Sequence, residues 1–109
     1  EAGEPLAYLL RSAFFYGLEF AVSPAVLIPR PDTEVLVDRA LVEGKRFDAP
    51  RIVDLGTGSG IVAIMLARLC SSAQVTAVDL SATALAIARA NAVQQSQRPG
   101  PAETPKLNI

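Results

Sequence analysis

Apolar and polar positions follow two periods along the chain, and the changes of period mark its elements. From Phe15 to Ile28 apolar residues alternate loosely around Gly17 and Pro24, which predicts two short strands joined by a turn. Pro31-Asp32-Thr33 reads as a helix start, with Asp32 or Thr33 as the cap and Glu34 near the positive helix end. Leu36, Val37, Ala40 and Leu41 form that helix's apolar stripe, and Gly44, followed by Lys45 and Arg46, closes it. Arg51 to Leu55 is a short buried strand running straight into Gly56-Thr57-Gly58-Ser59-Gly60. The run Ile61 to Leu69 is apolar almost all round except for Arg68, the pattern of a helix pressed into a core. Gln74 to Val78 is a second strand ending on Asp79, and Ser81 caps a third helix through Ala82, Leu85, Ala88 and Ala92.

Strand, glycine loop, helix, strand, acid, helix is the opening of a doubly wound parallel α/β sheet, here preceded by a short β-hairpin. Residues 1–31 read as the hairpin and a linker, residues 32–93 as the first half of a Rossmann-like domain. Residues 94–109 turn to Gln, Ser, Pro and Gly and read as a loop or disordered tail, within which Lys106 to Ile109 could open a third strand. Two parallel strands and a hairpin make a narrow sheet, so the chain is expected to be a piece of a larger protein.

Composition removes several classes of function. The 109 residues suffice for one small domain, and half of them are hydrophobic, as a globular core requires. Ten basic and eleven acidic residues are spread without a basic block, so direct grip on a nucleic-acid backbone is not expected. One cysteine and no histidine leave no means to build a zinc site or a Ser-His-Asp triad, and no metal site is expected. Cys70 falls in a run that reads as buried helix, which fits a reducing compartment. No apolar stretch reaches the ~20 residues of a membrane span, and the opening residues do not read as a signal peptide. The expected location is the cytoplasm, with the mitochondrial matrix as the alternative.

Candidate chemistry centres on Asp54-Leu55-Gly56-Thr57-Gly58-Ser59-Gly60. Glycines turn the chain sharply off a strand and let a ligand approach the backbone, and the loop delivers a helix amino end whose free N–H groups favour anionic groups. Asp79 stands at the end of the neighbouring strand, where a carboxylate can accept hydrogen bonds from both hydroxyls of a ribose. A dinucleotide site wants G-x-G-x-x-G, but Ile61 occupies the third glycine position, and no Gly-Lys follows the loop as a P-loop demands. A nucleoside without phosphate fits better, which points to S-adenosylmethionine, with a purely structural glycine turn as the bland alternative. Asp79 alone could be a helix N-cap, although Ser81 is better placed for that. Asp54 either binds the cofactor's ammonium through water or holds the loop through backbone N–H bonds.

The chain also resembles a known family. Val26-Leu27-Ile28-Pro29-Arg30-Pro31-Asp32-Thr33-Glu34, the Asp54–Gly60 loop, and Val75 to Ser81 followed by Ala84-Leu85 and Ala88-Arg89-Ala90-Asn91-Ala92 are similar to the HemK-type peptide-chain release factor glutamine methyltransferases. The likeness covers roughly residues 4–92. It implies a class I S-adenosylmethionine-dependent methyltransferase fold, and methylation of the side-chain amide N5 of the glutamine in the Gly-Gly-Gln tip of release factors, a step of protein methylation bearing on translation termination. It implies Gly56, Thr57, Gly58, Ser59, Gly60 and Asp79 as cofactor-binding residues, with Asp54 and Arg30 behind them. Arg30 either reaches the site or pairs with Glu34 at the surface. The family's Asn-Pro-Pro-Tyr motif, which holds the target amide, is absent here, so no catalytic residue is assigned and the chain alone is expected not to methylate. Arg11 and Ala13-Phe14-Phe15 lean toward a sister group that methylates a ribosomal protein, whereas Arg30-Pro31-Asp32-Thr33-Glu34 and Leu55-Gly56 lean back toward release factors. A nucleic-acid adenine-N6 methyltransferase and an inactive binding module complete the alternatives.

Overall fold

The computed structural model describes residues 11–22, 31–96 and 106–109. Two strands come first, β1 at Arg11–Phe15 and β2 at Leu18–Val22, paired antiparallel with Phe15 opposite Leu18. The hairpin begins earlier than apolar alternation suggested and turns at Tyr16-Gly17. Both turn residues have positive φ, 52° and 73°, the requirement of a two-residue loop whose twist matches its strands. Tyr16 bears that conformation because α1, at Pro31–Gly44, holds it: its hydroxyl donates to the Asp38 carboxylate and lies 3.2 Å from the Glu34 carbonyl oxygen. The hydrogen bond to Asp38, aided by burial and the nearby negative charge, pushes the phenol's pKa up to about 12. Pro31 opens α1, where a fixed φ and a missing N–H cost nothing, so Asp32 and Thr33 stand inside the first turn rather than before it. Of the expected stripe, Val37 is buried and Ala40 and Leu41 half-buried, whereas Leu36 is exposed.

Parallel strands β3 at Arg51–Leu55, β4 at Gln74–Val78 and β5 at Lys106–Asn108 form the second sheet in the order β3-β4-β5. The third strand is therefore formed, pairing Leu107 with Val75. Between the strands run α2 at Ile61–Leu69 and α3 at Ala82–Ser96. α2 packs against all three strands, α1 and α3, which is why Ile61, Ala63, Ile64, Met65, Leu66 and Ala67 are all buried. Its run stops at Cys70, a half-buried C-cap rather than a helical core residue. α3 rests on α2 and on β2, joining the hairpin's Phe15, Phe20 and Val22 to the core of the parallel unit. α3 also continues past residue 93, the end expected for the half-domain, to Ser96. Among the described residues no helix is long and apolar enough to cross a membrane.

Candidate cofactor site

The site lies at the carboxyl ends of β3 and β4, where a doubly wound sheet opens its crevice. Register places Leu55 opposite Val78, so the glycine loop leaving β3 and the acid ending β4 emerge side by side. The Thr57 N–H donates to the Val78 carbonyl at 2.9 Å, continuing the ladder by one rung. The Gly58 N–H then donates to Asp79 Oδ2 at 2.9 Å, joining loop and acid directly. Gly56, Gly58 and Gly60 have φ of 69°, 58° and 82°, a left-handed region costly to side-chain-bearing residues.

The two outer glycines serve different ends. A Cβ on Gly56 would meet nothing within 4 Å, so the loop is open to a ligand there. A Cβ on Gly60 would lie 2.8 Å from Ala88 Cβ and 3.1 Å from Ala88 Cα, so Gly60 lets the start of α2 close on α3. Thr57 and Ser59 turn inward, at 8% and 4% exposure, leaving the loop backbone as the surface a ligand would meet.

Both carboxylates are engaged. Asp79 Oδ1 accepts from the Ser81 N–H at 2.9 Å while Oδ2 holds Gly58. These bonds to Ser81 and Gly58 hold its pKa below the ordinary carboxylate value. The Leu80 N–H is a third backbone donor to this carboxylate, and a partly exposed Asp79 keeps acceptor capacity for a hydroxyl. Ser81, not Asp79, caps α3: its Oγ accepts from the Ala84 N–H at 3.1 Å. Asp54 Oδ2 accepts from Thr57 Oγ1 at 2.7 Å, and its carboxylate accepts from the Ala63 backbone in the first turn of α2. Burial nevertheless pushes its pKa up, against those two bonds and with the help of nearby Asp79. Asp54 thus touches the loop through the Thr57 hydroxyl and not through loop backbone N–H groups, its backbone partner Ala63 lying in α2. Arg30 lies outside the described residues. Among them, no group of three or more acidic or cysteine side chains could hold a metal ion.

Asn91 belongs to this site as well, and its spacing carried the only signal. It follows Ala84 and Ala88 on the inward stripe of α3, which alanine and isoleucine fill up to the two amides Asn91 and Gln95. Its Nδ2 donates to the Ser59 carbonyl at 2.8 Å, within the glycine loop.

Comparison with known proteins agrees with this geometry. A family described as "Methyltransferase domain" matches residues 52–103. A release factor glutamine methyltransferase of Bordetella pertussis is 55% identical over 97 residues, covering 89% of this chain and 36% of that protein. Proteins of the same name from Chlorobaculum tepidum and Vibrio cholerae are 48% and 47% identical, covering 83% and 85% of this chain and 32% of each relative. The chain thus spans about a third of the length of the curated relatives it matches.

Proposed function

The chain is a homologue, over most of its length, of the release factor glutamine methyltransferases, and on that premise we propose that it binds S-adenosylmethionine for methyl transfer to N5 of a release-factor glutamine. The observation that carries this reading is the 2.9 Å bond between the Gly58 N–H and Asp79, which draws a glycine loop and a carboxylate together at the ends of adjacent parallel strands. The donor set fits a nucleoside better than a phosphate, because two carboxylates and no lysine line this loop.

When bound, S-adenosylmethionine supplies a methyl group on a sulfonium, ready for in-line displacement by an amide nitrogen. That nitrogen's lone pair is delocalised, so the protein's share is orientation and localisation of charge. Gly56 to Gly60 would receive the cofactor's amino-acid end, and Asp79 would accept from a ribose hydroxyl through its remaining acceptor capacity. Asp54, which holds Thr57 and the start of α2, would face the ammonium as a carboxylate. The acceptor is taken to be the glutamine of the Gly-Gly-Gln tip, because the relatives carry the release-factor name and none of those cited carries a ribosomal-protein one. The bacterial origin of those relatives supports a reaction in the cytoplasm.

The test uses the full-length protein with labelled S-adenosylmethionine and a release factor. We expect methyl incorporation into the factor, and binding weakened at least about tenfold by Asp79→Ala, as loss of charge-assisted hydrogen bonds does. Unchanged affinity in a folded Asp79→Ala protein would remove the ribose assignment. Transfer to a ribosomal protein or to nucleic acid instead would remove the acceptor.

A further inference from the structure

α3 turns two side-chain amides inward, Asn91 at 1% and Gln95 at 3% exposure. Buried amides cost free energy unless their groups are bonded, so a pair one turn apart needs a physical reason. β2 provides part of it. Bonded to β1 through alternate residues, β2 presents the backbone groups of Glu19 and Ala21 along its outer edge. Four residues of helix rise about 6 Å and two residues of strand about 6.7 Å, so amides at this spacing can meet successive outward residues. Gln95 Nε2 donates to the Glu19 carbonyl at 2.8 Å. Asn91 Oδ1 accepts from the Ala21 N–H at 2.7 Å, and its Nδ2 donates to the Ala21 carbonyl at 2.9 Å. Asn91 thereby stands in for a neighbouring strand.

Asn91 differs from Gln95 in its remaining proton. That proton goes to the Ser59 carbonyl at 2.8 Å, whereas Gln95 Oε1 is buried with no partner. Ser59 lies between Gly58, whose N–H is on Asp79, and Gly60, which closes on Ala88 three residues before Asn91. One planar amide therefore fixes the hairpin edge and the glycine loop relative to each other.

We infer that Asn91 is a positioning residue for the cofactor loop and couples the hairpin to it. The inference rests on the S-adenosylmethionine reading of that loop. By holding the Ser59 carbonyl back, Asn91 keeps the loop in its receiving shape before the ligand arrives, which lowers the ordering cost of binding.

Two variants of the full-length protein separate this role from simple anchoring. Asn91→Ala and Gln95→Ala each remove one of the two amide anchors between the hairpin and α3, but only the first frees Ser59. Both should lower the melting temperature. Below it, calorimetry should show S-adenosylmethionine bound about tenfold more weakly by Asn91→Ala and within about twofold of the parent by Gln95→Ala. Equal affinities for the two folded variants would overturn the inference. A measurement on the unmutated protein stands if Asn91→Ala does not fold. Coupling is reciprocal, so saturating S-adenosylmethionine should slow hydrogen exchange at the Ala21 amide beyond any global gain in protection. No selective slowing there would overturn the inference too. A parent that binds no S-adenosylmethionine fails differently, taking the cofactor reading with it.

Discussion

At the scale of single residues, the two carboxylates of the site carry opposite pH signatures. Asp79 is held below the ordinary value by the Ser81 and Gly58 N–H groups, so its ionised form is favoured by folding. Its contribution is complete above the unfolded pKa and is lost as pH falls through its lowered folded value. Asp54 is raised from 3.8 chiefly by burial, so folding favours its protonated form. Its contribution is present below 3.8 and disappears as pH rises through the folded value, leaving a cost at neutral pH. Asp54→Asn removes that cost while keeping one acceptor for Thr57 or Ala63. The expected outcome at pH 7 is a melting temperature no lower than the parent's, together with weaker S-adenosylmethionine binding. A melt series upward from pH 3.8 should also lose part of the parent's slope. A lower melting temperature at pH 7 would show that the loop-holding bonds outweigh desolvation.

Between elements, Gly56 and Gly60 share a sign of φ and differ in surroundings. Gly60→Ala forces a Cβ to 2.8 Å from Ala88 Cβ, with Ala88 backbone 3.1 Å away, so α2 and α3 must part. Overpacking of this kind costs about 1–3 kcal/mol, and left-handed backbone with a side chain adds about 1–2 kcal/mol. Gly56→Ala carries the second cost without the first, because its Cβ enters open space. Denaturant melts should therefore rank Gly60→Ala clearly below Gly56→Ala. The ranking should reverse in relative loss of ligand affinity, since the Gly56 methyl sits where a ligand would approach. Equal destabilisation by the two would show that the α2–α3 contact relaxes at no cost.

Over the whole molecule, the parallel sheet is covered unequally. Ile52, Val75 and Ala77 lie on the side packed by α2, whereas Val53 and Leu55 on the opposite side of β3 are 60% and 78% exposed. Val78 adds 39% exposure at the end of β4. Such apolar surface binds hydrophobic dyes and promotes association. Val53→Thr with Leu55→Thr, made in the 109-residue chain, should reduce dye fluorescence and concentration-dependent association. Stability should change by no more than about 0.5 kcal/mol per site, as for exposed positions generally. Undiminished dye fluorescence would place the binding surface elsewhere.

Local patterns were enough to read the parallel unit from the sequence: the glycine loop after β3, the acid after β4, the all-round apolar α2 and the Ser81 cap. These signals come from residues close together in the chain, where periodicity and backbone preference act directly. The hairpin was legible as a hairpin but not in its register, because Tyr16 takes a left-handed turn only with α1 holding its hydroxyl. Periodicity reports which face a residue occupies and not what it meets. Asn91 could be seen on the inward stripe of α3, but its bonds to Ala21 and Ser59 span 70 and 32 residues of sequence. Gly60 could be read as a loop glycine, but the Ala88 methyl that forbids its Cβ comes from another helix. Thr57 and Ser59 could be named as loop residues, but only the packed chain turned their side chains inward. Sequence determined the elements and the chemistry at their ends, and tertiary packing decided which groups were left free to bind, because a buried polar group is satisfied only by partners that folding brings to it.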